Sequence, residues 1–392
     1  MMREIAIGEI GEMKIHGRTT DRRDPLTLFW TASGFEVNVT GSELWVEIES
    51  AYEVFEPWFS YTVNGDWIGR QMLPKGRYWV PLFRGMSEEP VKNVRFYKDL
   101  QAMSDDGESF IHIHALRCDG EFMPVKEKER RIEFIGDSIT SGEGTFGAKE
   151  ETDWIPMFFS VQRGYAHLTA KALDAEYRIF SQSGFGIHHG WDNNLHSALP
   201  RFYREVCSIM PGETCRKLGG SEKWSFESWQ PDVVVVNLGT NDASGFKQPV
   251  WEDEKTGESY KAHCEADGSM SGDDLALIKE GVKNFLAVLR ECNPKALIIW
   301  CYGMLGYELQ ETLQDAIAAY RRESGDSRVC YLSLPEAKGE TLGSREHPGY
   351  LNHQQAAGFL ANFIQDKLAE YGYEVAKISM KEQTAAFRRI EP

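Results

Sequence analysis

No stretch of this chain approaches the roughly 18 consecutive apolar residues of a membrane-spanning helix; the densest run, 296–302, has only the length of a strand. Cysteine is sparse and scattered. The seven, at 118, 207, 215, 264, 292, 301 and 330, include no CxxC pair. That spacing offers neither a zinc site nor a disulfide framework, so buried free thiols in a reducing compartment are expected. Basic charge is in deficit, with 43 Lys and Arg against 60 Asp and Glu and a net charge of −17. Such a surface repels phosphate backbones and anionic lipid heads, which argues against nucleic acid and membrane as partners. The opening MMREIAIGEIGEMKIHG lacks the basic and apolar regions of a signal peptide, so a cytoplasmic location is expected. There is no internal repeat and no low-complexity tract. GEGTFG lacks the Lys and helix start of a phosphate loop. No Asp, Glu or His cluster stands at ligand spacing, so neither metal nor cofactor is expected.

What remains is an ordinary soluble composition: 392 residues, 42% hydrophobic and 26% charged. At about 150 residues per domain the length suggests two or three domains. Residues 1–125 read as all-β. Short runs at 26–31, 35–39, 44–48, 58–63, 78–82, 94–97 and 110–115 are separated by turn residues, among them the hairpin signal Asn64-Gly65. Many short strands at this spacing predict a sandwich or jelly roll. The charged stretch 123–131 reads as a linker.

From 130 to 392 the texture is α/β. Strands are predicted at 132–136, 177–181, 233–238, 296–302 and 329–334, and helices at 165–173, 273–290, 309–321 and 351–371. The alternation implies a parallel sheet covered on both sides, with ligands at the carboxyl ends of its strands. Two long insertions, 188–230 and 243–273, read as lids or binding loops.

Four short motifs fall at those strand ends. Gly136-Asp137-Ser138 leaves the first strand; Gly136 allows a tight turn, and the Ser138 hydroxyl is lifted toward the cleft. Ser183-Gly184-Phe185-Gly186 follows the second strand, where a glycine lets a backbone N–H approach a substrate oxygen. Gly239-Thr240-Asn241-Asp242 follows the third and offers the Asn241 amide to an oxyanion. Arg345-Glu346-His347-Pro348 follows the last strand, from which an imidazole can reach back to Ser138. Each alone is an ordinary turn; their order at successive strand ends is what carries weight. Trp154, Trp191, Trp224 and Trp229 have flat faces suited to sugar rings, with core or loop packing as the plainer reading. His188 and His189 read as surface or packing residues.

With these motifs in order, residues 130–372 resemble the SGNH, or GDSL-type, hydrolase superfamily. With the β half in front, the chain is similar to carbohydrate esterase family two, in which a jelly roll precedes the SGNH domain. The resemblance implies a flavodoxin-like three-layer α/β/α domain, Ser138 as nucleophile and His347 as general base. The Ser138 N–H, Gly184 N–H and Asn241 side chain would form the oxyanion hole. The superfamily's acid, two or three residues before the His, is absent: Ser344 and Arg345 stand there. A backbone carbonyl near Ser344, the Glu346 carboxylate or a distant acid remain to orient His347, with the carbonyl and a Ser–His dyad favoured.

The expected activity is removal of acetyl or other small acyl groups from carbohydrate, hemicellulose-derived oligosaccharides foremost. Two alternatives are a lipid esterase or thioesterase of the same superfamily and a decayed carbohydrate-binding protein. A homo-oligomer is compatible with the sequence.

Overall fold

A computed structural model of the chain describes residues 1–372; positions 373–392, the end of the predicted second domain, lie outside the described residues. The N-terminal part holds two antiparallel sheets. One runs Arg3–Ala6, Phe110–Cys118, Leu44–Ala51, Gly76–Phe83, with Leu26–Leu28 also on Phe110–Cys118. The other runs Phe122–Met123, Gly34–Val39, Lys92–Lys98, Trp58–Val63, Asp66–Met72, with Lys14–His16 also on Gly34–Val39. Period-two alternation explains them: Leu44, Val46 and Ile48 are fully buried while Trp45, Glu47 and Glu49 are less so. The inward faces of both sheets share one apolar cluster, in which Phe35, Phe96 and Phe59 stack at 5.3 and 4.8 Å.

All seven predicted runs are strands. Asn64-Gly65 turns the hairpin between Trp58–Val63 and Asp66–Met72, with φ of +55° and +83° as a two-residue turn of this kind requires. The second arm of that hairpin escapes sequence reading because DWIGRQM does not alternate; it is a largely exposed edge strand. The linker is shorter than 123–131, because Met123 and Arg130 already belong to strands.

The second part is a parallel sheet with strands in the order Ala175–Ser181, Arg130–Gly136, Val233–Asn237, Leu297–Tyr302, Val329–Ser333. Val233–Asn237 shows why: every residue is buried. Val233 and Val235 join a cluster with helices Tyr165–Ala172 and Tyr350–Glu370. Val234 and Val236 join another with Gly272–Cys292 and Gln310–Ser324. The chain reverses direction across the sheet at Arg130–Gly136, so a crevice opens at that strand's carboxyl end. Among the described residues no helix is long and apolar enough to cross a membrane. All seven cysteines are free, and five are buried.

Part of the insertion 188–230, read as a lid or binding loop, packs into the core. Leu199, Tyr203, Val206 and Cys207 enter the core, and Trp30 of the β half donates its indole N–H to the Val206 carbonyl at 2.6 Å. Arg18 fixes the same junction. Its guanidinium, 1% exposed, donates to Glu133 Oε1 at 2.9 Å and lies 4.4 Å from the Tyr203 ring centroid; Tyr203 Oη donates to Glu133 Oε2 at 2.5 Å. Removing one partner leaves the other charge buried and uncompensated. Arg18→Ala is therefore expected to cost about 3–5 kcal/mol in chemical denaturation. A loss under about 1 kcal/mol, the range of a surface pair, contradicts this account.

Candidate active site

Ser138 begins a four-residue helical turn, Ser138–Ser141, directly after the strand Arg130–Gly136. Asp137 caps the turn by accepting from the Ile139 N–H at 3.0 Å. Gly136 is needed for space: a Cβ there would meet Thr140 Oγ1 at 2.1 Å and the Asn237 carbonyl at 2.7 Å.

His347 reaches this turn from the loop before the last helix. Its Nε2 lies 2.9 Å from Ser138 Oγ, and its Nδ1 lies 2.8 Å from the Arg345 carbonyl. A carbonyl only accepts, so Nδ1 carries the proton and Nε2 is left to accept from the Ser138 hydroxyl. The orienting group is therefore a backbone oxygen, that of Arg345 rather than Ser344. Glu346 makes no hydrogen bond or ion pair with the ring. Among the described residues the carboxylate that pairs with the imidazole is that of Glu143, 3.8 Å away on the Nε2 side, so it does not stand where a triad Asp would.

That carbonyl is held at a local backbone cost. Arg345 and Glu346 both have left-handed φ, +54° and +56°, a region that non-glycine residues visit at about 1 kcal/mol or more each. Three bonds hold the segment there. The Arg345 N–H donates to Glu151 O at 2.7 Å, the Ser344 hydroxyl donates to Phe146 O at 3.0 Å, and the Arg345 guanidinium pairs with buried Glu143. The GEGTFG segment earns its glycine here. Gly144, at φ +80°, passes so close to His347 that a Cβ would meet the imidazole's own Cβ at 2.4 Å.

Asn241 is the second residue of the helix Thr240–Gly245, which follows Val233–Asn237. Its Nδ2 donates to the Phe185 carbonyl at 2.9 Å and stands 3.3 Å from Asp137 Oδ2. One residue thus joins the neighbour of Gly184 to the neighbour of Ser138. Gly184 itself follows the strand Ala175–Ser181 at φ +81°. Burial pushes the Asp137 carboxyl up to about 7, with the nearby Glu143 and Asp242 carboxylates adding to the rise.

Several further residues support the site, and of these only Asp242 stands in one of the four motifs. Asp242, fully buried, accepts from the N–H groups of Ile187 and His188 at 2.8 Å each and so shapes the loop beyond Gly184. Gln101, from the β half, accepts from the Ser183 N–H at 2.8 Å, and Glu143 Oε2 lies 2.7 Å from Ser183 Oγ. Asp99 accepts from the Val161 N–H at 2.7 Å and pairs with Arg70. Only the packing of the two halves points to Gln101 and Asp99. Of the tryptophans, Trp154 packs on Phe55 and Phe159, while Trp224 and Trp229 lie against Arg178. Trp191 is half exposed, and its ring would lie 3.0 Å from a Cβ on Gly184. His188 and His189 pack against Tyr260.

The family model of GDSL-like lipases and acylhydrolases matches residues 134–358, a span that contains all four motifs. The chain belongs to this family. Its SGNH hydrolase fold carries an N-terminal β-rich domain, and solved GDSL-like relatives share the whole arrangement. An acetyl xylan esterase from the rumen bacterium Butyrivibrio proteoclasticus is 42% identical with a TM-score of 0.92, covering 94% of this chain and 99% of that one. A family two carbohydrate esterase from Clostridium thermocellum, in complex with cellohexaose, is 25% identical with a TM-score of 0.75, covering 91% and 99%. By sequence the chain is 27% identical to a cellulase/esterase of Acetivibrio thermocellus over 86% of its own length, and it spans 37% of that protein. It spans 57% of an acetylxylan esterase / glucomannan deacetylase of Cellvibrio japonicus, again 27% identical, over 60% of its own length.

Two predictions test the support around this GDSL-like site. Glu143→Gln weakens the hold on Arg345 and hence on the carbonyl that orients His347. A displacement of about 1 Å in a catalytic group costs up to about 10²-fold. The expected result is a fall in kcat of about tenfold or more with KM little changed; an unaltered kcat removes Glu143 from the argument. The second concerns buried His353, whose Nδ1 accepts from the Tyr165 N–H at 3.0 Å. Burial, and then the nearby His347, lower its pKa to about 3. Below pH 6.5 the unfolded chain takes a proton that the folded chain refuses, so stability falls as pH drops from 6.5 toward 3, by up to about 1.4 kcal/mol per unit. The excess stability of the wild type over His353→Gln should therefore shrink between about pH 7 and about pH 5 in matched melts; a constant gap contradicts it.

Proposed function

We propose that the protein is a serine esterase that removes acetyl groups from carbohydrate, hemicellulose-derived oligosaccharides foremost, through an acyl-enzyme on Ser138. The observation that carries this is the 2.9 Å approach of Ser138 Oγ to a His347 Nε2 left free to accept. His347 Nε2 takes the hydroxyl proton as Ser138 Oγ bonds to the acetyl carbonyl carbon. The developing oxyanion is met by the Ser138 N–H, the Gly184 N–H and the Asn241 amide; the second Asn241 N–H, only weakly engaged by Asp137 at 3.3 Å, is the one a substrate oxygen competes for. His347 then hands its proton to the departing sugar hydroxyl. A water, deprotonated by the same nitrogen, releases acetate and restores the Ser138 hydroxyl.

The relatives named as acetyl xylan esterases support the acyl group and the substrate class. Trp191, half exposed beside Gly184, offers a flat face for a sugar ring. A net charge of −17 favours a neutral glycan over an anionic polymer. The two core clusters on opposite faces of the parallel sheet support a flavodoxin-like three-layer domain, and the single cluster shared by the antiparallel sheets supports a jelly roll. The test is acetate release from acetylated xylo- and manno-oligosaccharides beside p-nitrophenyl esters of rising chain length. Turnover of the glycans and of the short ester is expected. Preference for long acyl chains would favour a lipid esterase, and glycan binding without release would favour a carbohydrate-binding protein.

A further inference from the structure

The sequence analysis expected no metal, yet the folded chain builds a candidate cluster in the β half, outside the four motifs. On the sheet of the β half, His112 on Phe110–Cys118 stands directly opposite Glu49 on Leu44–Ala51. The register then slips between Ile113 and Ala115, so His114 is the extra residue of a bulge. The inward positions beside it, Ile111 and Ile113, are fully buried in the apolar core, while the two imidazoles and the carboxylate lie on the sheet's other face. Glu49 Oε2 lies 2.7 Å from His114 Nε2 and 3.8 Å from His112 Nδ1, and one ligand atom from each residue lies within 4.8 Å of the others.

His112 makes the cluster more than an ion pair. The residue is 9% exposed, its Nε2 is buried without a hydrogen-bond partner, and its Nδ1 stands beyond hydrogen-bond reach of Glu49. The Phe110 ring stacks on it at 4.2 Å, which fixes the plane of the imidazole. The nitrogen that faces Glu49 is Nδ1, which at 3.8 Å makes no hydrogen bond with it and is the ring atom placed to take an ion.

We propose that Glu49, His112 and His114 bind one divalent transition-metal ion of the zinc type, with water completing the shell. The donor set decides the class. Two imidazole nitrogens and one carboxylate suit zinc, nickel or copper, whereas calcium and magnesium require oxygen cages. Bonds of about 2.0–2.2 Å place tetrahedral ligand atoms about 3.3 Å apart, so Glu49 and His114 part slightly and His112 closes in, changes within rotamer freedom. The ion ties two neighbouring strands at a bulge, where their ladder is interrupted, and so acts on the stability of the β half. It stands apart from the Ser138 and His347 chemistry.

The site escaped sequence reading because its carboxylate and His114 lie 65 positions apart, and only the strand register joins them. The test is calorimetric titration of the full chain, freed of metal with chelator, with zinc chloride, alongside thermal melts. One equivalent of zinc is expected to bind and to raise Tm, with calcium and magnesium inert. Binding at least tenfold weaker is expected for His114→Ala and for Glu49→Gln, the latter a near-isosteric change that keeps the fold should the former not. Acetate release in the absence of metal should be unchanged in Glu49→Gln. No zinc binding in the wild type, or equal binding in both variants, overturns the proposal.

Discussion

Ser138→Ala is expected to lower kcat/KM for p-nitrophenyl acetate by about 10⁴-fold or more, and His347→Ala to match it. The two side chains act as one unit: Ser138 Oγ is a nucleophile only while His347 Nε2, 2.9 Å away, can take its proton. Removing either ends that transfer, so the double variant should be no slower than the singles. Folding is not at issue, since neither substitution removes a core contact; matching melts would verify this. What rate remains reports the oxyanion hole and binding alone. Multiplicative loss in the double variant, or a mild effect in either single, would mean that another group attacks the ester. The dyad adds a refinement. A carbonyl fixes the tautomer of His347 but brings no full charge to stabilise the imidazolium, so the rate of the intact enzyme should rest more heavily on the rigidity of the Arg345 segment.

Asn241→Ala should cost about 10²–10³-fold, chiefly in kcat, because the amide strengthens its bond as charge develops on the substrate oxygen. Its other N–H is spent on Phe185 O, so part of any loss could reflect a shifted Gly184 loop. Asn241→Asp loses the same bond to Phe185 O and adds a charge, so it tests the electrostatic part. The carboxylate keeps the volume, yet cannot donate to Phe185 O and sets a negative charge against the oxyanion, so it should be the slower variant. Should Asn241→Asp outperform Asn241→Ala, the amide is structural.

Much of this was legible in the residues. Val233–Asn237 could hardly be anything but a strand buried on both faces, and its successor Asn241 was placed at the sheet's edge by that alone. The hairpin at Asn64-Gly65 followed from the two positive φ values its turn needs. Ser138 was reachable because it lies one turn beyond a strand, and His347 because it stands in the loop between the last strand, Val329–Ser333, and the last helix. What the sequence did not disclose depends on through-space pairing. Glu143 and Arg345 meet across 202 positions, and no local pattern marks Glu143 as the partner of an orienting segment. Gln101 has an unremarkable polar context until the two halves pack. The Arg345 carbonyl is a backbone atom and leaves no trace in residue type. The insertion 188–230 looked like a lid because its length was visible and its buried Tyr203 and Cys207 were not.

The stretch following the strand Lys92–Lys98 has a wider implication. Asp99 and Gln101 belong to the first half by sequence but serve the second by hydrogen bond, gripping Val161 and Ser183. A minimal hydrolase made by trimming away the β portion would leave those amides facing solvent, and the loop carrying Gly184 would lose its brace. The two halves are therefore joined by bonds that reach the loop carrying Gly184. Anyone grafting the second half onto another protein should carry the first half with it.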